Sequence, residues 1–377
     1  MENLTRRTAM ARRVHISVSL CGVSLKNPIV LAAGPSGRDF ETLERAVKAG
    51  FGAVTTKTIR LNAARNPFPN IAKIGRDDMV NAEKWSDLSL QAWITNEIPA
   101  VKRLGTPLIA SVGFTAKEAA KIAPMVEEAG ADFIETVTYD ADQILPTVKA
   151  AKSAVKIPVI VKVSGNWSDL LRIVVKAEKL GADAVSAIDS FGPVLAIDVE
   201  TGKPYLGTRD GEGWLSGSAI HPLAVKCVAG IAARVKVPVI GIGGVSSGRD
   251  VVEMIMAGAS CVGLCSAPLL HGLNVFDRIE NELVEFIEAK GYNSIQDLRA
   301  FALKNMQEQK NEHKKKLGPI IDKEACSVCG LCVNLCPYRA LALSDGKVVH
   351  NESRCLSCGL CYSVCPHQAI TLRGYPA

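Results

Sequence analysis

The chain has 377 residues, of which 48% are hydrophobic and 22% are charged, and its formal net charge is +6. These proportions are typical of a soluble globular protein with one large and one small domain. Aromatic residues make up only 5% of the chain and are not interleaved with a basic patch, so we expect no nucleic-acid partner. We find no signal-peptide pattern and no apolar run of the ~20 residues that a membrane span requires, and we therefore expect a cytoplasmic protein.

Between residues 28 and 270, short β-branched segments alternate with amphipathic segments of helical periodicity. Several amphipathic segments end in Ala-Gly or Gly-Ala, a common helix-terminating signal. Eight such units predict an α/β fold, the (β/α)8 TIM barrel, with functional residues on the loops that follow the strands. A doubly wound open sheet is the alternative, but eight evenly recurring units favour closure. The candidate strands are 29–33, 52–57, 107–112, 132–137, 158–163, 184–189, 238–243 and 261–265.

Residues 303–318 are highly charged and have almost no apolar face, which is typical of a solvated helix or linker. The composition changes abruptly after this segment. We therefore predict a barrel domain at 1–302, a charged linker at 303–318 and a second domain at 319–377.

Eight of the twelve cysteines fall in the second domain, where CSVCGLCVNLCP (326–337) recurs as CLSCGLCYSVCP (355–366). This duplicated C-x2-C-x2-C-x3-C-P run is typical of two-cluster ferredoxins, in which the fourth cysteine of each run reaches the other cluster. We therefore expect two [4Fe–4S] clusters. Two structural zinc sites are the alternative, but zinc needs neither a third cysteine nor a Cys-Pro in each half. The first predicted ligand set is Cys326, Cys329, Cys332 and Cys365, and the second is Cys355, Cys358, Cys361 and Cys336.

Residues 15–300 resemble the FMN-binding barrel of the dihydroorotate dehydrogenases. With the ferredoxin motif, the architecture also resembles the pyrimidine-reducing subunit of bacterial NAD-dependent dihydropyrimidine dehydrogenases. The segments that carry the resemblance are GVSLKNPIVLAAGPSG (22–37), TTKTIR (55–60), VIVKVSGN (159–166), GEGWLSGSAIHPLAV (211–225) and VPVIGIGGVSSGRDVVEMIMAGAS (237–260).

The resemblance implies that FMN is the cofactor of the barrel. It places Lys57 and Lys162 near the flavin, where a lysine at the N1/C2=O edge stabilises negative charge on the reduced ring. For each of these two lysines, a strand-end salt bridge is the alternative. Gly243 and Gly244 are expected to meet the phosphate at the start of a helix. The residues implied to bind FMN are Ala33, Gly34, Lys57, Lys162, Ser216, Gly217, Gly243, Gly244 and Ser266.

The fourth strand ends differently from that of the family. The family has an asparagine there, followed on a long loop by a cysteine or serine that transfers a proton. Without gaps, Val137 replaces the asparagine and Asp140 takes the place of the cysteine. Tyr139 and Asp140 are the candidate acid–base residues, since a phenol or a buried carboxylate can transfer a proton. The alternative is that Asp140 or Asp142 caps the next helix and that Tyr139 packs over the barrel mouth.

Two other substrate-binding positions follow from the resemblance. Asn81 is retained after the second strand, whereas the Asn-Thr or Asn-Ser after the sixth strand is replaced by Asp189 and Ser190. A site that loses hydrogen-bonding partners rejects its former ligand, so these changes predict an altered substrate. Asp189 would favour a donor or a cation on the ligand.

These features predict an oxidoreductase acting on CH–CH groups, in which electrons pass between two clusters, FMN and a small, dihydropyrimidine-like substrate. A relay subunit whose barrel no longer turns over pyrimidines is the alternative. A barrel of the dihydrouridine-synthase kind that acts on RNA is disfavoured by the modest charge.

The chain has no second dinucleotide-binding fingerprint. By resemblance, a separate FAD/NAD(P)-binding subunit or a free ferredoxin supplies the electrons, and a homodimer or a heterotetramer is expected.

Overall fold

The computed structural model describes residues 14–309 and 318–373. The chain divides into two compact units, the first ending at Asn305 and the second beginning at Met306. The division falls within the helix Phe301–Gln309, so the first part of the predicted linker is helical, and its residues 310–317 lie outside the described residues. No helix in the described part of the chain is long and apolar enough to cross a membrane.

Eight parallel strands close into a barrel, which confirms the predicted fold. The last strand pairs with the first, with Val262 opposite Ile29, so the open-sheet alternative is wrong. Nearly every strand residue is buried, as expected for parallel strands covered on both faces. The strands are β1 (Ile29–Leu31), β2 (Ala53–Thr55), β3 (Leu108–Gly113), β4 (Phe133–Val137), β5 (Val159–Val163), β6 (Ala184–Ala187), β7 (Val239–Ile242) and β8 (Cys261–Leu264).

A helix follows each strand and packs against the outside of the barrel. The predicted helix stops are confirmed at Gly50 and Gly130, which adopt left-handed φ angles of 112° and 116° at the ends of their helices. A short helix, Ser266–His271, precedes the last long one. The helices are α1 (Phe40–Ala49), α2 (Leu90–Ala92, continued by the π-helical Trp93–Glu97 and by Ile98–Lys102), α3 (Ala116–Ala129), α4 (Ala141–Ala154), α5 (Leu170–Lys179), α6 (His221–Ala232), α7 (Gly248–Met256) and α8 (Val275–Ala289).

The segments that follow β2 and β6 contribute a second, antiparallel sheet of four strands. Its order is Phe191–Leu195, Glu212–Gly217, Asp78–Asn81 and Ile71–Lys73. The two central strands place Asn81 opposite Trp214. Two short hairpins complete the barrel unit, pairing Val18–Leu20 with Val23–Leu25 and Ile197–Asp198 with Lys203–Pro204.

One continuous hydrophobic core fills the barrel and the space between its strands and helices. Its largest fully buried side chains include Trp93, Phe51, Phe133 and Phe276. Phe51 and Phe276 pack with ring centroids 4.9 Å apart, and a Cβ at Gly50 would lie 2.6 Å from the Phe276 ring. Replacing a buried aromatic side chain by alanine typically costs about 3–5 kcal/mol of folding free energy. These residues therefore contribute strongly to the stability of the barrel unit.

The second unit repeats one short pattern twice. Each half contains a one-turn helix, Leu331–Asn334 or Leu360–Ser363, preceded by a glycine with a left-handed φ angle of 74° or 77°. Two antiparallel strand pairs join the halves, Pro319–Ile321 with Ile370–Leu372 and Leu341–Ser344 with Lys347–His350. The 29-residue sequence repeat is therefore also a repeat of the backbone.

Candidate functional site

A cavity opens at the carboxyl ends of the barrel strands, where a TIM barrel carries its active site. Most of the barrel residues predicted from sequence line this cavity. Those that do so are Ala33, Gly34, Lys57, Asn81, Tyr139, Lys162, Asp189, Ser190, Ser216, Gly243, Gly244 and Ser266. Gly217 and Asp140 do not.

Asp140 has a different role from the catalytic one predicted as an option. Its Oδ1 accepts a hydrogen bond from the Asp142 amide at 2.9 Å, and Asp140 is the N-cap of α4. The side chain is exposed and lies outside the cavity. Aspartate is a preferred residue at the N-cap of a helix, and the capping alternative therefore describes Asp140.

Gly217 does not line the cavity, and its predicted contact with the cofactor stays a prediction. It has a φ angle of 106°, and a Cβ there would lie 2.2 Å from the Asp77 carbonyl oxygen. Glycine is therefore required at this position by the close approach of two backbone segments rather than by the cavity. Its neighbour Ser216 does line the cavity.

The predicted phosphate loop, Gly243 and Gly244, has left-handed φ angles of 130° and 67°. The helix expected to begin there begins four residues later, at Gly248, because Ser247 and Asp250 form a capping box. The first amides of α7 are already bonded, since Gly248 donates to Glu282 at 2.7 Å. The loop glycines and Ser266, rather than the first turn of α7, therefore face the cavity.

A buried histidine supports this loop from behind. The Nδ1 atom of His221 lies 2.9 Å from the Gly243 carbonyl oxygen, and its Nε2 atom lies 3.2 Å from a carboxylate oxygen of Glu253. A Cβ at Gly244 would lie 2.8 Å from the Cβ of His221. His221 therefore has a structural role, and these contacts identify the segment that it holds.

Lys57, at the end of β2, is buried in an ion pair. Its Nζ atom lies 2.6 Å from Oε1 of Glu83, whose side chain is also largely buried. Both residues line the cavity. The salt-bridge alternative therefore applies to Lys57, and the ion pair also fixes the ammonium at the cavity wall.

Lys162, at the end of β5, is more loosely held between two carboxylates. Its Nζ atom lies 3.9 Å from Oδ1 of Asp189 and 4.0 Å from Oε1 of Glu135. Burial opposes the charge of Lys162, but the two carboxylates outweigh it and raise the pKa of the ammonium. Oε1 of Glu135 is buried without a hydrogen-bond partner. Lys162 thus remains a cation with donor capacity that the protein leaves unfilled.

Tyr139 belongs to a row of aromatic rings at the cavity wall. Its ring stacks on Trp214 with centroids 5.1 Å apart and planes 13° apart, and it meets Phe114 edge-on at 5.1 Å. Trp167 fixes the backbone by donating from Nε1 to the Tyr139 carbonyl oxygen at 3.2 Å. Desolvation by its surroundings and the nearby Asp189 raise the pKa of the phenol above its usual value. Tyr139 therefore keeps its proton at neutral pH.

Arg60, a further cation of the barrel loops, is committed to protein contacts. It makes a two-pronged ion pair with Glu118, at 2.9 and 2.8 Å, and its guanidinium lies over the rings of Trp85 and Phe114. The ion pair and its hydrogen bonds lower the pKa of the Glu118 carboxyl despite its burial. Arg60 supports the aromatic row rather than offering a free charge to a ligand.

The cavity residues fit FMN by an observation independent of the sequence resemblance. The loop of Gly243 and Gly244 and the ammonium groups of Lys57 and Lys162 line the same cavity, and they suit a flat anionic cofactor. A Cβ at Gly34 would lie 2.6 Å from the Sγ atom of Cys265, so the packing of this thiol requires glycine there. Burial raises the pKa of the Cys265 thiol to about 11, which agrees with an inert, space-filling cysteine.

The cysteines of the second unit line two separate cavities of about 380 and 350 Å³. One contains Cys336, Cys355, Cys358 and Cys361, and the other contains Cys326, Cys329, Cys332 and Cys365. Each run therefore contributes three cysteines to one cavity and its fourth to the other. This exchange of the fourth cysteine is the arrangement of two-cluster ferredoxins, and it favours iron–sulfur clusters over two structural zinc sites.

Sequence reasoning missed the residues that complete the site. Glu83 is 26 positions from Lys57, and nothing in the local pattern predicts their ion pair. Trp85 and Phe114 lie on different loops, and Trp214 lies on a strand of the second sheet. Phe114 and Trp214 meet Tyr139, and Trp85 meets Phe114, only in the folded chain. The only usable signal was the position of each residue shortly after a strand.

Comparison with known proteins finds a matching family model for each of the two units. The family model described as dihydroorotate dehydrogenase matches residues 15–287, and the 4Fe-4S dicluster domain model matches residues 318–366. Three relatives carry the name dihydroorotate dehydrogenase B (NAD(+)), catalytic subunit. The protein of Methanothermobacter thermautotrophicus is 34% identical over 76% of this chain and 98% of its own length. That of Methanosarcina mazei is 36% identical over 77% and 96%, and that of Pyrococcus horikoshii is 33% identical over 78% and 100%.

The barrel match covers well over half of the chain, and the relatives are matched over nearly their whole length. The 4Fe-4S domain lies outside the barrel match. The chain therefore belongs to the dihydroorotate dehydrogenase family, and it is an iron–sulfur flavoprotein oxidoreductase that acts on CH–CH groups.

Proposed function

We propose that the chain transfers electrons between a small dihydropyrimidine-class substrate, FMN in the barrel and two [4Fe–4S] clusters in the second unit. The observation that carries this proposal is the single cavity at the barrel mouth. It brings the implied flavin residues Lys57, Lys162 and Gly243 together with Asn81 and Tyr139, the implied substrate residues. The domain division at 302 and 319 and the cytoplasmic location stay predictions.

FMN, when bound, exchanges a hydride with a carbon of the substrate and exchanges electrons singly with iron–sulfur centres. The residues of this chain supply binding and electrostatics. Lys162 offers a cation that Asp189 and Glu135 keep protonated, and Lys57 is held in place by Glu83. Gly243, Gly244 and Ser266 form the wall proposed to bind the phosphate.

Tyr139 is proposed as the proton donor for substrate reduction. A general acid must hold its proton at working pH and reach the substrate, and a phenol, whose ordinary pKa is about 10, meets the first condition at neutral pH. Its position in the cavity wall supports the second. The stacked ring of Trp214 restrains the phenol, so little conformational freedom is lost when it acts.

The charged side chains at the cavity wall indicate which chemical groups a substrate needs. Oδ1 of Asp189 accepts a hydrogen bond from the Ser190 amide at 2.8 Å, and a carboxylate at this position can only accept from a ligand. A ring N–H of a dihydropyrimidine is such a donor. Of the three lysines that line the cavity, Lys84 alone has no carboxylate within 4.0 Å among the described residues. Lys84 can therefore bind a substrate carboxylate.

Dihydroorotate is the first substrate to test, because the relatives are named for it and because it carries both a ring N–H and a carboxylate. The experiment is anaerobic bleaching of the bound flavin by dihydroorotate, by dihydrouracil and by other dihydro compounds. Flavin reduction by a member of this panel supports the proposal. If none of them reduces the flavin while a reduced partner flavoprotein does, the relay alternative takes its place.

A substitution of Lys84 sharpens the choice within the panel. Lys84→Gln is expected to raise the KM for dihydroorotate about tenfold, since a charge-assisted hydrogen bond contributes about 1.5–3 kcal/mol. The KM for dihydrouracil, which has no carboxylate, is expected to stay within twofold. If Lys84→Gln changes the KM for dihydroorotate and for dihydrouracil equally, Lys84 does not contribute to substrate specificity.

The electron partner is proposed by analogy. The relatives are named as catalytic subunits of an NAD(+) enzyme. We infer that this chain likewise exchanges electrons with a separate FAD/NAD(P)-binding subunit or with a free ferredoxin, as a homodimer or within a heterotetramer. Reduction of the clusters by purified candidate partners, followed by visible bleaching, tests this inference.

A further inference from the structure

The two halves of the iron–sulfur unit differ at a pair of equivalent positions. Ile321 and Val328 in the first half correspond to His350 and Ser357 in the second, 29 residues later. Val328 and Ser357 share a left-handed backbone, with φ angles of 57° and 58°. The repeat therefore keeps its geometry while the second half exchanges two apolar side chains for two hydrogen-bond donors.

Both of these donors are buried without a partner. Nε2 of His350 and Oγ of Ser357 are the only such side-chain atoms in the described part of the second unit, residues 318–373. Both residues line the same cavity, the one that contains Cys336, Cys355, Cys358 and Cys361. Ile321 lines the other cavity. An unpaired buried donor costs about 1–3 kcal/mol, so two in one cavity call for an acceptor.

Among the described residues no protein atom accepts a hydrogen bond from these two side chains, and both of them face the cavity. Tyr338 and His367, which line the two cavities at equivalent positions, are both exposed and can be hydrated. The backbone amide of Ser357 already donates to Sγ of Cys355 at 3.4 Å. The inorganic sulfur of a bound cluster is an acceptor of suitable size and charge for the two side chains.

We propose that His350, through Nε2–H, and Ser357, through Oγ–H, donate hydrogen bonds to the cluster held by Cys336, Cys355, Cys358 and Cys361, and that this cluster therefore has the higher reduction potential of the two. Hydrogen bonds to cluster sulfurs reduce the electron density that repels an incoming electron, which stabilises the reduced state. In the first half the equivalent residues, Ile321 and Val328, have no donor, and the polar residues that line its cavity, Ser327 and His367, are exposed to solvent. The first electron to enter the oxidised unit therefore resides on the second cluster. The inference rests on the proposal of two clusters, which iron and sulfide analysis tests separately.

The experiment is a potentiometric titration of the full chain with its clusters loaded, under anaerobic conditions and followed by electron paramagnetic resonance. The test variants are His350→Ile, which copies the first half, and Ser357→Ala. Each is expected to lower the midpoint of one cluster by roughly 30–59 mV, which corresponds to a three- to tenfold change in the one-electron equilibrium. The other cluster should not shift, and His350→Gln, which keeps a donor, should recover most of the change.

The matched control is His367→Ile, which removes an exposed histidine beside the other cavity. It should change the one-electron equilibrium constant of each cluster by less than twofold. A loaded His350→Ile/Ser357→Ala double variant with both midpoints unchanged would overturn the proposal, and would indicate that water fills the site.

A second measurement decides the matter if a variant loses iron. In the wild-type chain labelled with 15N-histidine, the reduced cluster should show magnetic coupling to a histidine nitrogen and to exchangeable protons. Backbone amides also supply exchangeable protons near this cluster, so absence of the histidine nitrogen coupling alone would overturn the proposal. Neither measurement requires a substrate, so its failure is distinguishable from a failure of the proposed reaction.

Discussion

The barrel and the iron–sulfur unit differ in what holds their functional groups in place. In the barrel, a continuous core surrounds the strands, and two of the three cavity lysines lie beside protein carboxylates, as Lys57 does beside Glu83. In the described part of the smaller unit, the buried apolar cluster comprises only Cys332, Leu341 and Ile370. The comparison indicates that the barrel positions its cofactor site by its own packing, whereas the smaller unit depends on its clusters for a core.

The largest expected effect is a direct consequence of this difference. Removal of iron by a chelator under reducing conditions should unfold residues 318–373 and leave the barrel folded, because metal-binding free energy is folding free energy in small metal domains. Hydrogen exchange measured by mass spectrometry should show loss of protection in the second unit alone. Equal protection in both units after iron loss would contradict the comparison.

Tyr139→Phe tests the barrel side of the comparison, where chemistry depends on a side chain fixed by protein contacts. The ring stack on Trp214 is preserved, so the fold should not change. Loss of the proton donor should reduce kcat for substrate reduction about 10²-fold or more. Because the pKa of Tyr139 is raised, the wild-type rate should not fall as pH passes the ordinary phenol value of 10. A wild-type rate that halves near pH 10 would assign the proton to another group.

Lys162→Met should weaken FMN binding about tenfold, through loss of one charge-assisted contact. It also leaves Glu135 and Asp189 without their cation, which destabilises the barrel. The double variant Lys162→Met/Glu135→Gln is therefore the control: it should recover thermal stability but not FMN affinity, as measured by fluorescence titration. Recovery of both would mean that Lys162 acts on the fold alone. The raised pKa of Lys162 keeps the cation, and its contribution to stability, present below pH 10.5, with loss only above that value.

Asp140→Ala gives the smallest effect and separates two neighbours. Removal of the cap of α4 should cost about 1 kcal/mol of unfolding free energy with kcat unchanged. Chemical denaturation and steady-state rates measure the two quantities. A fall in kcat comparable to that of Tyr139→Phe would show that Asp140 is a catalytic residue.

The fold was predictable because its signals are local and repeated. The eight barrel strands appear as short buried segments between helices that end in Ala-Gly or Gly-Ala, and the paired cysteine runs recur at a fixed interval. The start of α7 was predicted wrongly because the Gly243–Gly244 pair resembles a helix start, whereas the Ser247–Asp250 capping box determines it. Gly217 was assigned to the cofactor because a glycine in a loop does not reveal which atom approaches it.

The rest of the site depends on contacts between distant segments. The row formed by Trp85, Phe114, Tyr139 and Trp214 spans 129 positions, and no periodicity connects its members. The difference between His350 and Ile321 is visible in the sequence, but its meaning depends on knowing that Nε2 is enclosed. Burial and partnership are properties of the folded chain.

The most direct test of the account is an anaerobic titration of the loaded full chain with dihydroorotate and the other dihydro compounds. Flavin absorbance and cluster resonance should be recorded in the same sample. The account predicts that a compound of this class reduces the flavin and that electrons then appear on the clusters, up to about four per chain, two on FMN and one on each cluster. A flavin that stays oxidised with every compound, in a chain whose clusters and FMN are fully loaded, would contradict it.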